Sequence, residues 1–561
     1  MEYAALAAVL FLLVIFFMIT GKIEERKAKR LFRSRLKSCY GAFSDKKYAE
    51  GRMESIKALL RCNPETDFVI DDITWNDLEM DRLFQAIDYT RSAAGEEALY
   101  RWLRTPVFEE EMLQKREHHF RFLEEHEEDR LDYLSFMADI GRTGKYSVYD
   151  YLDYLDTLPD KSCLFKKLAD IAIVLCLILG LTVTAYFFLP MVILLLYNSI
   201  TYMRQKKEIE PYLLTFSYFV RIFDNIRRLN GMSAVFQEEF AQEIGQLQAA
   251  KNEFSSFKRW SFLALDDTGG ANPMDLSRLI LTYLKFMFHL DLIKFYSMLH
   301  VLKEKKEVLM QLFQNMGEIE AAISVVYARA AFGVYSVPTL QKQQNPKEIV
   351  LEAEDLFHPL IPNPVPNSVC QHRGMLLTGS NASGKSTFLK AVAVNVLLAQ
   401  TIHTACAKSY RANYFRIYSS MALRDSLQQG ESYFIVEIKS MKRIFDAAED
   451  GGIPVLCTID EVLRGTNTAE RIGASAELLK ALARKGVLCF AATHDLELTT
   501  LLEQDMDNYH FEEMVEGKDI HFPYQLTKGC ARGRNAIKLL GAFGFDEDLV
   551  ERAEKLAGGF K

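Results

Sequence analysis

Thr378-Gly379-Ser380-Asn381-Ala382-Ser383-Gly384-Lys385-Ser386-Thr387 decides the fold of the C-terminal part of this chain. The stretch fits G-x-x-x-x-G-K-[ST], a loop that cradles phosphates. Its flanks fit as well: Met375-Leu376-Leu377 reads as a strand and Phe388-Leu389-Lys390-Ala391-Val392-Ala393-Val394 as a helix. Gly379 and Gly384 let the backbone turn inward, and Ser380, Asn381, Ala382, Ser383 and Thr387 complete the nucleotide-binding loop around them. Lys385 places a point charge at the β/γ-phosphates, Ser386 offers a hydroxyl to Mg2+, and the helix N-terminus adds partial positive charge. The ligands expected are ATP and Mg2+.

Two more apolar runs end in polar groups. Val455-Leu456-Cys457-Thr458-Ile459 leads into Asp460-Glu461, which predicts a strand carrying Asp460 to the metal and Glu461 to the attacking water as general base. Gly486-Val487-Leu488-Cys489-Phe490-Ala491-Ala492 leads into Thr493-His494, a histidine placed to sense the γ-phosphate. Between them, Gly430-Glu431-Ser432-Tyr433-Phe434 precedes a helical pattern over 435–441, a turn that can present a hydroxyl and backbone N–H groups to an anion.

The remaining sequence is organised around apolarity. The 561 residues carry a net charge of −8, so bulk electrostatics do not favour nucleic acid and any DNA contact needs a local basic face. Nine scattered cysteines without zinc spacing read as reduced thiols. Residues 3–19 are unbroken apolar and are followed by Lys22, Arg26, Lys27, Lys29 and Arg30, predicting an uncleaved anchor with its N-terminus outside and the rest cytoplasmic. A cleaved signal would want a basic start and a small-residue cleavage site. Residues 168–203 hold one charge, Asp170. As one helix they would run about 54 Å against a hydrocarbon core of about 30 Å, so the expectation is two crossings of about 18 residues breaking near Leu189-Pro190. The competing reading is a buried hairpin. Lys166 and Lys167 at one end, and Arg204, Lys206 and Lys207 at the other, place both ends in the cytoplasm. Helical spacing marks 75–84 and the stretch from Gly95 to Leu103, stopping at Thr105-Pro106.

Together these motifs resemble the ATPase domain of the MutS mismatch-repair family. The likeness rests on the P-loop, Gly430-Glu431-Ser432-Tyr433-Phe434, the run from Asp460 to Thr468, and Ala492-Thr493-His494; His358-Pro359-Leu360 and Val365-Pro366-Asn367 look like the approach to that P-loop. It implies that Asn367 contacts the adenine side and that Ser432 reaches a partner's γ-phosphate in trans, hence a homodimer. Residues 77–106, Gly317-Glu318-Ile319-Glu320 and Tyr335-Ser336-Val337-Pro338 are similar to the family's helical lever. The sequence departs from the family where its mismatch-reading wedge and DNA clamp would stand; 168–203 occupies the clamp position.

The expected fold is an α/β P-loop NTPase head of the ABC class with an all-α lever and transmembrane helices. The expected partition is an anchor at 1–21, a linker at 22–67, lever parts at 68–163 and 208–338 around a hairpin at 164–207, and the head at 339–561. Three functions fit: an ATPase acting on DNA, a membrane-held nucleotide switch acting on a protein or lipid partner, and an ABC-like transporter.

Overall fold

An all-apolar strand belongs in the middle of a sheet, and that is where the P-loop strand lies. The computed structural model describes the chain except residues 1, 49, 58–67, 143–146, 159–161, 266–275, 344–348, 381–382, 422–432, 464–465, 517–518, 531–544 and 559–561, and leaves out some further side chains, 2–15 among them. In chain order the described strands are β1 (Thr339–Gln341), β2 (Leu351–Leu356), β3 (Asn367–Gln371), β4 (Gly374–Thr378), β5 (Ser409–Asn413), β6 (Arg416–Ser420), β7 (Val455–Asp460), β8 (Leu488–Ala492), β9 (Met506–Phe511), β10 (Met514–Glu516), β11 (Asp519–His521) and β12 (Leu526–Lys528). One sheet runs β12-β9-β4-β8-β7-β6, parallel except for β12 at its edge. β4 and β8 are buried at every residue, as parallel strands covered on both faces are. A second sheet runs β1-β5-β2-β3. The helix after the P-loop, Lys385–Thr401, is buried over most of its length.

Ahead of the head lies an all-helical body built on one tight crossing. Helix Ala93–Arg104 meets helix Lys306–Phe332 so closely that a Cβ on Gly317 would lie 2.3 Å from the carbonyl oxygen of Ala94. A Cβ on Gly95 would meet the Glu320 carboxylate. That carboxylate accepts from the Ser92 hydroxyl and from the backbone N–H of Arg91 and Ser92, while the Ser92 hydroxyl accepts from Gly95 N–H. Glu320 thus satisfies donors at a helix N-terminus that has no intrahelical partner for them. Burial pushes its carboxyl up to about 7.

Buried side chains tie the body to the head, among them Asp77 and Arg329. The Asp77 carboxylate accepts from Ser419 Oγ (2.6 Å) and Met421 N (2.9 Å) at the end of β6. The buried Arg329 donates to Glu117 Oε2 (2.6 Å), the His403 carbonyl (2.9 Å) and Thr404 Oγ1 (2.9 Å), just beyond helix Lys385–Thr401. Burial alone would raise the Glu117 carboxyl, but its bonds to His403 and Arg329 outweigh that and hold it at about 2.

Three sequence expectations are corrected. The helical pattern over 75–84 is two helices, Asp72–Asp77 and Met80–Ile87, with Glu79 left-handed at φ 53° between them. The hairpin bends at 183–187, where Thr184 Oγ1 accepts from Tyr186 N–H, and not at Leu189-Pro190. Pro190 sits in the first turn of helix Phe188–Asn225, where its missing N–H has no partner to lose. Lastly, among the described residues one helical stretch, Ala185–Leu213, is long and apolar enough to cross a membrane by length and composition, so several crossings are not supported. The first arm, Leu164–Thr182, carries Lys166, Lys167 and Asp170; only the 12 residues after Asp170 are free of charge, about 18 Å of helix. The anchor expected at 1–21 belongs to a helix, Glu2–Ser38, whose first side chains lie outside the described residues.

The hairpin is not a buried one. Only 6% of the most apolar window in its second arm is buried, and Leu181, Tyr186 and Leu189 are 73%, 89% and 70% exposed. At its base Asn198 Nδ2 ties the two arms through Asp170 Oδ1 (3.1 Å) and the hairpin to the body through the Met287 carbonyl (3.0 Å), and Tyr202 and Lys206 donate to the buried Asp291 (2.8 and 2.7 Å).

Two outcomes follow from this packing. Gly317→Ala drives a methyl into backbone and should destabilise the body by about 1–3 kcal/mol, read as a lowered Tm; an unchanged Tm contradicts the crossing. Glu117→Gln removes the nearer of the two carboxylates on the buried Arg329, Glu124 standing 3.5 Å off, and should cost about 3 kcal/mol. Because the folded carboxyl titrates near 2, below its ordinary value of about 4.3, its contribution is complete above that value and fades as pH falls toward 2. The melting difference between the wild-type chain and Glu117→Gln should therefore narrow across that window.

Candidate nucleotide site

Parallel neighbours in a sheet end on the same side. β4, β8 and β7 lie side by side, so the P-loop, His494 and Asp460-Glu461 meet at one edge although the sequence separates them by up to 116 residues. They line a cleft of about 860 Å³ together with Ser380, Gly384, Thr387, His358, Val365, Asn367 and Tyr524.

The loop turns where glycine allows it: φ is 142° at Gly379 and 101° at Gly384. Lys385 Nζ donates to the carbonyls of Gly379 (2.7 Å) and Ser380 (2.8 Å), which holds the ammonium against the loop. Ser383 Oγ donates to the Ser380 carbonyl (2.9 Å), and Ser380 Oγ to Glu513 (2.6 Å). Asn381 and Ala382 lie outside the described residues, as does Ser432. Ser386 Oγ donates to Asp460 Oδ2 at 2.5 Å, so two hard oxygen ligands converge beside the loop. That donor set suits Mg2+, which takes oxygen ligands and binds through one or two protein groups plus phosphate.

Past Asp460 the chain turns sharply. Glu461 and Leu463 are left-handed, at φ 65° and 58°, a conformation that side-chain-bearing residues seldom adopt. In a continued strand Asp460 and Glu461 would face opposite sides; here both border the cleft. Glu461 Oε1 lies 2.9 Å from His494 Nε2. Strain of this kind persists where the surroundings over-determine it, and functional sites are where it collects.

Two groups here, Arg471 and Tyr524, were not singled out as site residues from the sequence. Arg471, on helix Thr468–Arg484, grips Asp495 through two bonds of 2.9 and 2.6 Å and so fixes the loop that carries His494. Tyr524 is left-handed (φ 55°) and half-exposed; its ring lies over Gly384, where an added Cβ would come within 3.0 Å. The hint was Phe522-Pro523-Tyr524, two aromatics around a proline in a polar stretch. Asn367 borders the cleft with its amide engaged: Nδ2 donates to the carbonyls of Val365 (3.2 Å) and Tyr524 (3.0 Å), and Oδ1 accepts from Leu526 N–H (2.7 Å). It therefore positions Tyr524. His358 is pushed down to about 4, by burial and by Lys390, and faces the cleft neutral at pH 7.

A P-loop joined at one sheet edge by a strand-end acid pair and a strand-end histidine defines a nucleoside-triphosphate-binding domain of the P-loop class. Residues 375–561 match the family described as MutS domain V. The chain is 28% identical over 278 residues to the DNA mismatch repair protein MutS of Thermotoga maritima, covering 48% of this chain and 34% of that one. It is 31% identical over 217 residues to the MutS of Persephonella marina (37% and 25%) and 29% identical over 257 residues to that of Thermus thermophilus (46% and 30%). Over residues 375–561 the chain is thus similar to MutS domain V, the part of these relatives that the family model describes. It matches about a third of the length of these curated relatives or less.

Tyr524→Ala should weaken binding of a fluorescent ATP analogue about tenfold, the loss expected for one base–aromatic stack. Unchanged affinity would remove the tyrosine from the binding site.

Proposed function

We propose that this chain is a Mg2+-dependent ATPase whose nucleotide cycle moves a helical body held at a membrane. The observation that carries the reading is the convergence of two pairs, Ser386 with Asp460 and Glu461 with His494, on the cleft that holds the P-loop. Lys385 and the loop N–H groups bind and orient the phosphates. Ser386 and Asp460 would hold Mg2+, which neutralises phosphate charge when bound. Glu461 accepts the proton of the attacking water. His494, at hydrogen-bond distance from Glu461, orients that carboxylate and feels the γ-phosphate. Ser432 completes a second copy's site in trans, which makes a homodimer the working unit.

Two features support the mechanical output. Asp77 grips Ser419 and Met421 at the end of β6, directly before the 422–432 segment that contains the expected trans contact. The body so gripped carries the apolar hairpin, whose exposed aliphatic surface, flanked by Lys166, Lys167, Arg204 and Lys207, suits a lipid layer and its anionic headgroups. The partner class is therefore membrane lipid, or a protein within it. A second reading, action on DNA, is favoured by the names of the relatives, against a net charge of −8.

Glu461→Gln should lower kcat by at least about 100-fold while ATP is still bound; normal turnover would remove Glu461 as the base. An environment-sensitive fluorophore on Leu181→Cys should shift to the blue and be quenched by a lipid-borne quencher in vesicles, and a water-like spectrum would contradict membrane contact at the hairpin. Mismatched and matched duplexes titrated over a salt series test the second reading: no salt-dependent binding at low salt excludes it.

A further inference from the structure

We propose a thiolate-containing metal site of the zinc class on the second sheet, formed by Glu352, Cys370 and His372 and separate from the nucleotide cleft. Strand register brings the three together. Glu352 on β2 is the direct antiparallel partner of Cys370 on β3, and His372 follows just past the end of β3, where its ring turns back to both. Cys370 Sγ lies 3.9 Å from His372 Nε2, and His372 Nε2 lies 3.8 Å from Glu352 Oε1. All three donor atoms fall within 4.8 Å of one another. Zn–S near 2.3 Å and Zn–N near 2.0 Å at a tetrahedral angle set sulfur and nitrogen about 3.5 Å apart. The Cys370–His372 pair therefore needs to close by about 0.4 Å.

The neighbours orient these ligands as the groups around a metal site do. His372 Nδ1 lies 3.1 Å from the Ile349 carbonyl, which can only accept, so the proton sits on Nδ1 and the Nε2 lone pair points toward Cys370 and Glu352. On the other side Arg411, cross-strand partner of Glu352 on β5, approaches the second carboxylate oxygen, Oε2, at 3.5 Å and leaves Oε1 toward the site. One thiolate, one neutral imidazole and one carboxylate supply two negative charges for a divalent ion, and the ion's fourth position is left to water. The mixed soft and borderline donors select Zn2+ over Mg2+, which takes oxygen. Binding forms the S–Zn bond and releases the thiol proton to solvent.

The location gives the site a consequence. β3 is an edge strand of its sheet, and the same β2–β3 pair ends at Leu356 and Asn367, both on the nucleotide cleft. Four residues of strand, about 13 Å, separate the two ends. A metal joining Glu352 to Cys370 staples this pair at the end away from the nucleotide.

Co2+ titration of the full chain in detergent tests the proposal without reference to ATP turnover. The expected result is one Co2+ per chain bound with a near-ultraviolet sulfur-to-cobalt charge-transfer band, displaced by Zn2+. Cys370→Ser should abolish the band, and His372→Ala should weaken binding at least about tenfold. Far-UV circular dichroism should stay unchanged in both, since both side chains are exposed. Absence of the band in the wild-type chain, or its survival in Cys370→Ser, would overturn the assignment. An intact band and affinity in His372→Ala would overturn the three-ligand geometry.

Discussion

The structure depends on backbone-to-backbone contact between helices Ala93–Arg104 and Lys306–Phe332. Gly317 admits the Ala94 carbonyl, Gly95 admits the Glu320 carboxylate, and that carboxylate closes the N-terminus of the first helix. The later course of both helices matters as much as the crossing. Three residues past the end of the first, Val107 N–H donates to the Gln400 carbonyl (2.8 Å), and the second ends near Arg329, which reaches Glu117 and the His403 carbonyl. Body and head are thus fastened through the far ends of the two elements that meet at the glycines.

Around the nucleotide cleft the organising principle is sheet order. Adjacent parallel strands β4, β8 and β7 deliver a loop, a histidine and two acids to one edge, where α/β sheets place their ligands. The left-handed turn at Glu461 then breaks the alternation that would have pointed it away. The geometry of this cleft comes from a regular scaffold interrupted where Glu461 and Leu463 turn left-handed.

Much of the head was legible because its signals are local. A strand reads from a short apolar run, and a phosphate loop from ten consecutive residues. Val455–Asp460 and Leu488–Ala492 were both visible in that way. Long-range grips were not: nothing in the composition around Arg471 names Asp495, and nothing around Asn367 names Tyr524. Proline misled the hairpin reading, since it marks a break inside a helix but is comfortable in a first turn. The Asp72–Ile87 stretch failed differently, because helical periodicity survives a two-residue interruption such as Leu78-Glu79.

The central claim is that the nucleotide state of the head reaches the body through Asp77 and Arg329. Amide hydrogen exchange on the full chain in lipid nanodiscs, with and without Mg2+ and ATP, measures this directly. The account predicts altered protection at 72–87 and 117–124 as well as around the P-loop. Changes confined to the head, with 72–87 and 117–124 unaffected, would contradict it.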